Sequence, residues 1–148
     1  MPSLRKTTTN TAIALALVAS FGVACADDSG PGTTAGGKVD IPASMFEDDS
    51  GTREAEVSVV DNSFEAPYVI VTEGTKVRWT NDGRNQHNVQ PSTPDAFEGV
   101  ATDDFAPGQS YSVTFDDAGD YPYYCSIHGT KKLSGQSGVI RVVAAGAT

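Results

Sequence analysis

The chain has 148 residues, enough for one domain with short appendages, and its 19 acidic against 10 basic residues give a net charge of −9. This charge excludes nucleic acid and anionic lipid headgroups as electrostatic partners, because both repel an acidic protein. Two histidines and two cysteines are available for a metal or nucleophilic site.

Residues 1–24 have the pattern of a secretory signal. Arg5 and Lys6 form a short basic region, and the mostly apolar stretch 11–24 that follows is too short to span a bilayer as a stable helix. Removing this segment takes away two positive charges and no acid, so the net charge falls from −9 to −11. No later stretch is apolar for long enough to cross a membrane. We therefore expect an exported protein.

The end of the signal allows three interpretations. Residues 21–25, Phe-Gly-Val-Ala-Cys, resemble the bacterial lipobox, in which the cysteine becomes the lipidated N-terminus after cleavage. The alternatives are ordinary cleavage after Ala26 and a disulfide between Cys25 and Cys125. We expect lipidation at Cys25, because this residue ends the apolar run and opens a linker. A lipidated protein would be anchored on the outer face of the cytoplasmic membrane. A protein without the lipid would be periplasmic or extracellular.

The remainder of the chain divides into a tether and one domain. Residues 25–52 are rich in Gly, Ser, Thr, Pro and Asp, which predicts a flexible tether. From residue 53 the pattern changes to alternating strands with turn residues between them, so the domain is expected to occupy 53–148. Strands are predicted at 56–60, 68–72, 75–80, 110–115, 121–125 and 138–143. No segment has a sustained helical period, although 94–100 could hold one helical turn.

Short strands with frequent turns predict an all-β fold, an antiparallel or mixed β-sandwich of about seven to eight strands. Its predicted core consists of inward-facing apolar side chains. These are Phe64, Val77, Trp79, Val89, Val113, Phe115, Tyr123 and Ile140.

Two short segments carry both histidines and one of the cysteines. His87 follows the strand that contains Trp79, and Cys125 and His128 are separated by two residues. A thiolate with two imidazoles suits copper or zinc, and does not suit magnesium or calcium. The short spacing places Cys125 and His128 in one tight loop, which can lie at the same end of the sandwich as His87.

A trigonal copper site needs a further group above or below its plane. Met1 and Met45 both precede the domain, so neither is placed to serve. Gln136, just before the final strand, offers an amide oxygen. This donor is harder than a thioether and favours Cu(II), which predicts a lower reduction potential than a methionine would give.

Other chemistries fit the same residues less well. Structural zinc normally takes four firm Cys or His ligands, and this chain offers three. A nucleophilic Cys–His pair would place nucleophile and base in one tight loop with no orienting acid. Copper is therefore the favoured cofactor.

These segments resemble the blue-copper (cupredoxin) family, of the plastocyanin, halocyanin and pseudoazurin kind, from about residue 56 to 143. The resemblance rests on 64–81, on His87-Asn88-Val89, on 119–129 and on 135–140. Gln136 stands where the family has Met, a departure shared with stellacyanin-like members.

The resemblance implies a Greek-key β-sandwich that holds one type 1 copper ion. His87, Cys125 and His128 would be its in-plane ligands, and Gln136 its axial ligand. Asn88 would brace the ligand loops by hydrogen bonding.

The resemblance also implies routes for electrons. His128 would lie in an apolar surface patch and serve as the electron port. Tyr124 would be either a second port or a packed strand aromatic. The carbonyl of Gln86 would approach the copper opposite the axial ligand.

The implied function is a one-electron carrier that cycles Cu(I)/Cu(II) outside the cytoplasm and is not an enzyme. It would dock transiently on redox proteins near His128, act as a monomer and be held at the membrane through Cys25. The alternative is an extracytoplasmic copper-binding or delivery protein, although the chain has no Met-rich or His-rich tract. A catalytic copper site would need a free coordination position, and a metal-free adhesive sandwich would leave three converging ligands unused.

Overall fold

Two β-sheets, facing each other across a shared core, make up most of the computed structural model, which describes residues 38–146. The first sheet has the order β1-β4-β9-β8-β6 and the second β3-β2-β5-β7. The strands are β1 Glu47–Asp48, β2 Glu54–Val60, β3 Ser63–Glu65, β4 Tyr68–Thr72, β5 Thr75–Asn81, β6 Gln90–Pro91, β7 Ser110–Phe115, β8 Gly119–Thr130 and β9 Ser134–Val143. Short 3-10 helices lie at Ala43–Met45 and Thr102–Asp104.

The predicted all-β sandwich is confirmed, with nine strands among the described residues in place of seven to eight. The pairing is mixed: β2 runs parallel to β5 and β4 parallel to β9, whereas β8 and β9 are antiparallel. The additional strands are only two or three residues long, too short for an alternating pattern to reveal them. Residues 94–97 form a turn and a bend instead of a helical turn, and Val100 forms an isolated bridge with Val89. Among residues 38–146, no helix is long and apolar enough to cross a membrane.

The core is organised around Trp79 on β5, which is fully buried. The alternating burial along β5 reflects the two-residue period of a strand, which turns every second side chain inward. Four aromatic rings surround the indole at centroid distances of 5.4 to 6.4 Å: Phe97, Tyr111, Phe115 and Tyr123. Seven of the eight predicted core residues are buried. Val113 is half-buried, because its strand β7 forms the edge of its sheet.

Residues 38–48 pack on the domain, although the sequence pattern assigned them to the tether. Asp120 accepts a hydrogen bond from the Val39 N–H at 2.7 Å and forms an ion pair with Arg141 at 2.7 Å. The Arg141 guanidinium also lies 4.2 Å from the ring centre of Phe46, whose ring is 5.7 Å from that of Tyr68. Strand β1 then pairs with β4. These contacts join residues far apart in sequence, so no local pattern indicates them. Residues 1–24 and 25–37 lie outside the described part of the chain.

We expect Asp120→Asn to destabilise the fold at neutral pH, because it leaves the Arg141 charge without its buried partner. Burial alone would raise the pKa of Asp120, but the hydrogen bonds and charge of Arg141, with the Val39 N–H, outweigh it and hold this pKa below its usual value. The ion pair therefore contributes stability above the unfolded-state pKa of about 4 and loses it as the pH falls further. The expected loss at pH 7 is about 3 kcal/mol.

Urea unfolding at pH 7 and at pH 2.5 to 3 measures this contribution (~3 kcal/mol at the higher pH and much less at the lower). Asp116→Asn, which removes an exposed carboxylate nearby in sequence, is the matched control and should change little. An Asp120→Asn effect of equal size at both pH values would contradict the assigned role.

Candidate metal centre

Three potential ligand side chains converge at one end of the sandwich. They are His87, Cys125 and His128. One ring nitrogen of each histidine and the Sγ of Cys125 all lie within 4.8 Å of one another. Cys125 Sγ is 3.7 Å from His87 Nδ1, and the two imidazole ring centres are 5.2 Å apart. His87 and Cys125 are buried and His128 is half-buried. The site is thus closed on two sides and open to the surface at His128.

The segment that carries Cys125 and His128 is a bulge within a strand, where the sequence predicted a loop. Strand β8 continues to Thr130, and its register with β9 breaks between Tyr124 and Gly129. Tyr124 pairs with Ser137 and Gly129 with Gly135, so residues 125–128 face Gln136 alone. A bulge of this kind redirects side chains that regular pairing would alternate across the sheet.

Two glycines permit the close approach of the strands at this bulge. A Cβ on Gly129 would lie 2.2 Å from the carbonyl oxygen of Gln136, and one on Gly135 would lie 2.3 Å from that of His128. Gly135 also has a φ of +76°, a conformation that other residues rarely adopt. Any side chain at either position would force β8 and β9 apart and displace the ligand segment.

Gln136 is buried and its amide orientation is fixed. Its Nε2 donates to the backbone carbonyl oxygens of Val60 at 3.1 Å and Ser63 at 2.9 Å. Because both N–H groups have carbonyl acceptors, Oε1 is turned toward the ligand cluster, 3.2 Å from His128 Nδ1. The amide oxygen is therefore available as a fourth donor.

Asn88 links the two ligand-bearing segments. Its Oδ1 accepts the backbone N–H of Ser126 at 2.8 Å, and its Nδ2 donates to the hydroxyl oxygens of Ser126 at 2.7 Å and Thr102 at 3.0 Å. These contacts connect the residue after His87 to the residue after Cys125. The role of Asn88 in bracing a bound copper ion's ligands stays a prediction, and the contacts add Ser126 and Thr102, which no sequence motif singled out.

His87 is positioned by the turn that follows β5. The buried Asn81 donates through Nδ2 to the carbonyl oxygens of Asn85 at 3.0 Å and Phe105 at 2.9 Å, and its Oδ1 accepts the Gly83 N–H at 3.1 Å. Burial, and next the nearby His128, lower the pKa of His87. The imidazole therefore stays neutral near neutral pH, which is the form that binds a metal ion.

The remaining predicted residues are placed as follows. Tyr124 is half-buried on β8, where it pairs with Gln90, and Gln86 is exposed beside His87. The proposed electron route through Tyr124 and the approach of the Gln86 carbonyl stay predictions. Cys25 lies outside the described residues. Asp61, which sequence reasoning missed, has Oδ1 3.7 Å from His87 Nε2.

The donor set fits copper. One sulfur and two imidazole nitrogens with an additional, harder oxygen match the trigonal thiolate sites that copper occupies in electron-transfer proteins. The described ligand cluster contains no carboxylate of the kind that calcium or magnesium prefers.

Comparison with known proteins gives the same result. The plastocyanin of Scenedesmus fuscus is 37% identical over 87 residues, which cover 53% of this chain and 85% of that protein. A chloroplast plastocyanin of Tetradesmus obliquus is 36% identical over 72 residues; they cover 44% of this chain and half of that longer protein. Among solved structures, amicyanin with a methionine-to-glutamine substitution, in its Cu(I) form, aligns with a TM-score of 0.52 at 28% identity. The alignment covers 62% of this chain and 83% of that one.

Residues 53–140 match the plastocyanin/azurin family of copper-binding proteins, and this match spans more than half of the chain. The family resemblance and the copper cofactor predicted from the sequence are thereby confirmed. The chain belongs to the plastocyanin/azurin family of copper-binding proteins.

Proposed function

We propose that the protein is a blue-copper electron carrier that cycles one copper ion between Cu(I) and Cu(II) outside the cytoplasmic membrane. Membership in a copper-binding family supports this proposal. The observation that carries the proposal is the bulge at residues 125–128. It brings the sulfur of Cys125 and the imidazole of His128 together with the buried imidazole of His87, and it faces the amide of Gln136.

His87, Cys125 and His128 are the proposed in-plane ligands, and Gln136 is the proposed axial ligand. When bound, copper supplies a centre that gains and loses one electron. The protein holds the donors in place: Asn88 ties the two ligand segments together, and the Gln136 amide is fixed by two backbone carbonyls. A frame fixed in this way limits the rearrangement that accompanies each change of oxidation state.

The same arrangement favours electron transfer over catalysis. Both histidines of the chain belong to the cluster, so neither is left to bind a second metal ion. As the proposed axial ligand, Gln136 would take the position at which a substrate would have to bind.

Redox partners are proposed to dock at His128. Its neighbour Ile127 is 49% exposed, and it is one of two large apolar side chains in residues 38–146 that are markedly exposed. Lys131 and Lys132, both exposed, lie in the turn between β8 and β9. A small apolar surface beside a half-buried ligand permits close but transient contact, as an electron carrier requires.

The anchor at Cys25 remains part of this proposal. Residues 38–48 are fastened to the domain at Asp120, near the start of β8, whereas His128 lies near its end. On the partner strand β9, Asp120 pairs with Arg141 and Gly129 with Gly135, and six residues of strand correspond to roughly 20 Å. A lipid anchor would therefore hold the domain at the end away from the copper site, and residues 26–37 would give it a reach of roughly 40 Å at full extension. The docking face would stay free.

Copper titration of the protein without residues 1–24 tests the proposed function. We expect an intense visible thiolate-to-copper absorption that saturates at one equivalent of Cu(II) and disappears on reduction. Cys125→Ser should abolish the band, whereas Ser134→Ala, an exposed change on the same hairpin, should leave it intact. A colourless protein, or a square-planar Cu(II) EPR spectrum, would favour copper delivery and contradict an electron carrier.

Gln136→Met should raise the reduction potential, because a thioether stabilises Cu(I) better than an amide oxygen does. It should also lower the free energy of unfolding by about 1–3 kcal/mol, because the carbonyls of Val60 and Ser63 lose their donors. Voltammetry and urea unfolding measure the two effects. Gln90→Met, which removes a similar hydrogen bond to Val100 but none of the proposed ligands, is the control for potential. An unchanged or lowered potential in Gln136→Met would show that Gln136 is not the axial ligand.

Ile127→Asp should slow electron self-exchange about tenfold while leaving the visible spectrum unchanged, because a charge placed beside His128 opposes close contact of two molecules. NMR line broadening in mixtures of reduced and oxidised protein measures this rate. Met45→Asp is the matched control, since Met45 is the other markedly exposed apolar residue, 57% exposed, and precedes the domain strands. Equal slowing by both variants would move the docking face away from His128.

A further inference from the structure

The outer nitrogen of His87 is a buried polar atom with no hydrogen-bond partner among residues 38–146. His87 Nε2 is inaccessible to solvent, whereas Nδ1 on the opposite side of the ring faces Cys125 Sγ. A buried N–H without an acceptor is costly, so such a group in a native fold calls for a partner. Asp61 Oδ1 lies 3.7 Å away, about half an ångström beyond an ordinary N–H···O bond.

Asp61 is held firmly in this position. It lies in the turn between β2 and β3, and its Oδ1 accepts the backbone N–H groups of Arg84 at 2.9 Å and Asn85 at 3.2 Å. The Arg84 side chain donates to Oδ2 at 3.3 Å. A Cβ on Gly83 would lie 2.7 Å from Oδ1, so glycine is needed for the turn to close over the carboxylate. The carboxylate thus shapes the segment that leads to His87.

The geometry assigns each ring nitrogen of His87 a task. A neutral imidazole that binds a metal through Nδ1 carries its proton on Nε2, and that proton points to the side where Asp61 lies. Carboxylates are frequent partners of metal-bound histidines, because the hydrogen bond fixes the ring and increases its basicity. The Arg84 guanidinium offsets little of this negative charge, because its side chain is 93% exposed and screened by water.

We propose that Asp61 is the positioning residue of the metal centre: it accepts a hydrogen bond from His87 Nε2 and, through its charge, favours Cu(II) over Cu(I). The inference rests on the proposed electron-transfer function and extends it to the setting of the potential. One electron enters or leaves the copper, and the proton stays on Nε2 in both states. Asp61 would lower the reduction potential together with Gln136, by a different physical effect.

Asp61→Asn tests the charge, because asparagine keeps an oxygen for the N–H groups but is neutral. We expect the ratio of reduced to oxidised protein at a fixed applied potential to rise about tenfold, as expected for a partly screened charge. Asp82→Asn is the matched control: it removes an equal charge from an exposed position in the adjacent turn, where Asp82 contacts Ser58. The control should change the ratio by a factor of about two or less. A rise in Asp61→Asn no larger than in the control would overturn the proposal.

Arg84→Ala provides a second test that does not depend on Asp61→Asn folding. Because the exposed guanidinium offsets little of the carboxylate charge, its removal should lower the ratio of reduced to oxidised protein by a factor of about two or less, and an increased ratio would contradict the proposal. In the diamagnetic Cu(I) protein, the His87 Nε2 proton should exchange slowly with solvent, and it should exchange faster in Asp61→Ala. Equal exchange rates in the two proteins would also contradict the proposal.

A wild-type protein without the visible copper band would refute the proposed function itself. A normal band, with Asp61→Asn matching its control, would refute only the role of Asp61.

Discussion

The close pairing of β8 and β9 around the bulge at residues 125–128 is the constraint on which the metal centre depends. Regular pairing would send successive side chains to opposite faces of the sheet, so a thiolate and an imidazole three residues apart could not meet one ion. The bulge releases this segment from the ladder, and Gly129 and Gly135 let the backbones approach closely enough to hold it. Gln136 then faces the segment from the partner strand.

The rest of the fold holds this bulge against the His87 segment. Parallel pairing of β2 with β5 brings the β2–β3 turn beside the residues that follow β5, so Asp61 and Asn81 both shape the chain leading to His87. Asn88 then joins the two ligand segments directly. The aromatic packing around Trp79 makes the sandwich beneath them resistant to deformation. A donor set fixed from several sides is suited to a metal that changes its charge without changing its ligands.

Much of this arrangement can be predicted from the sequence, and there are physical reasons why the remaining features cannot. Alternating side chains identified the long strands, and the residue types around His87 and Cys125 identified the metal centre, because both are local properties. The packing of residues 38–48 depends on Asp120 and Arg141, which lie 81 or more positions away along the chain from Val39. The bulge was predicted as a loop because spacing alone does not reveal that both ends rejoin the ladder. Asp61 belongs to no motif, and only the folded turn places it beside His87.

X-ray absorption spectroscopy of the copper-loaded protein in both oxidation states tests the central claim most directly, namely that the fold holds one set of donors around a redox-active copper ion. The account predicts one short copper–sulfur and two copper–nitrogen distances in Cu(II), with the same ligands retained and only small changes of distance in Cu(I). Loss of a nitrogen ligand on reduction, or the absence of a sulfur ligand in either state, would contradict it.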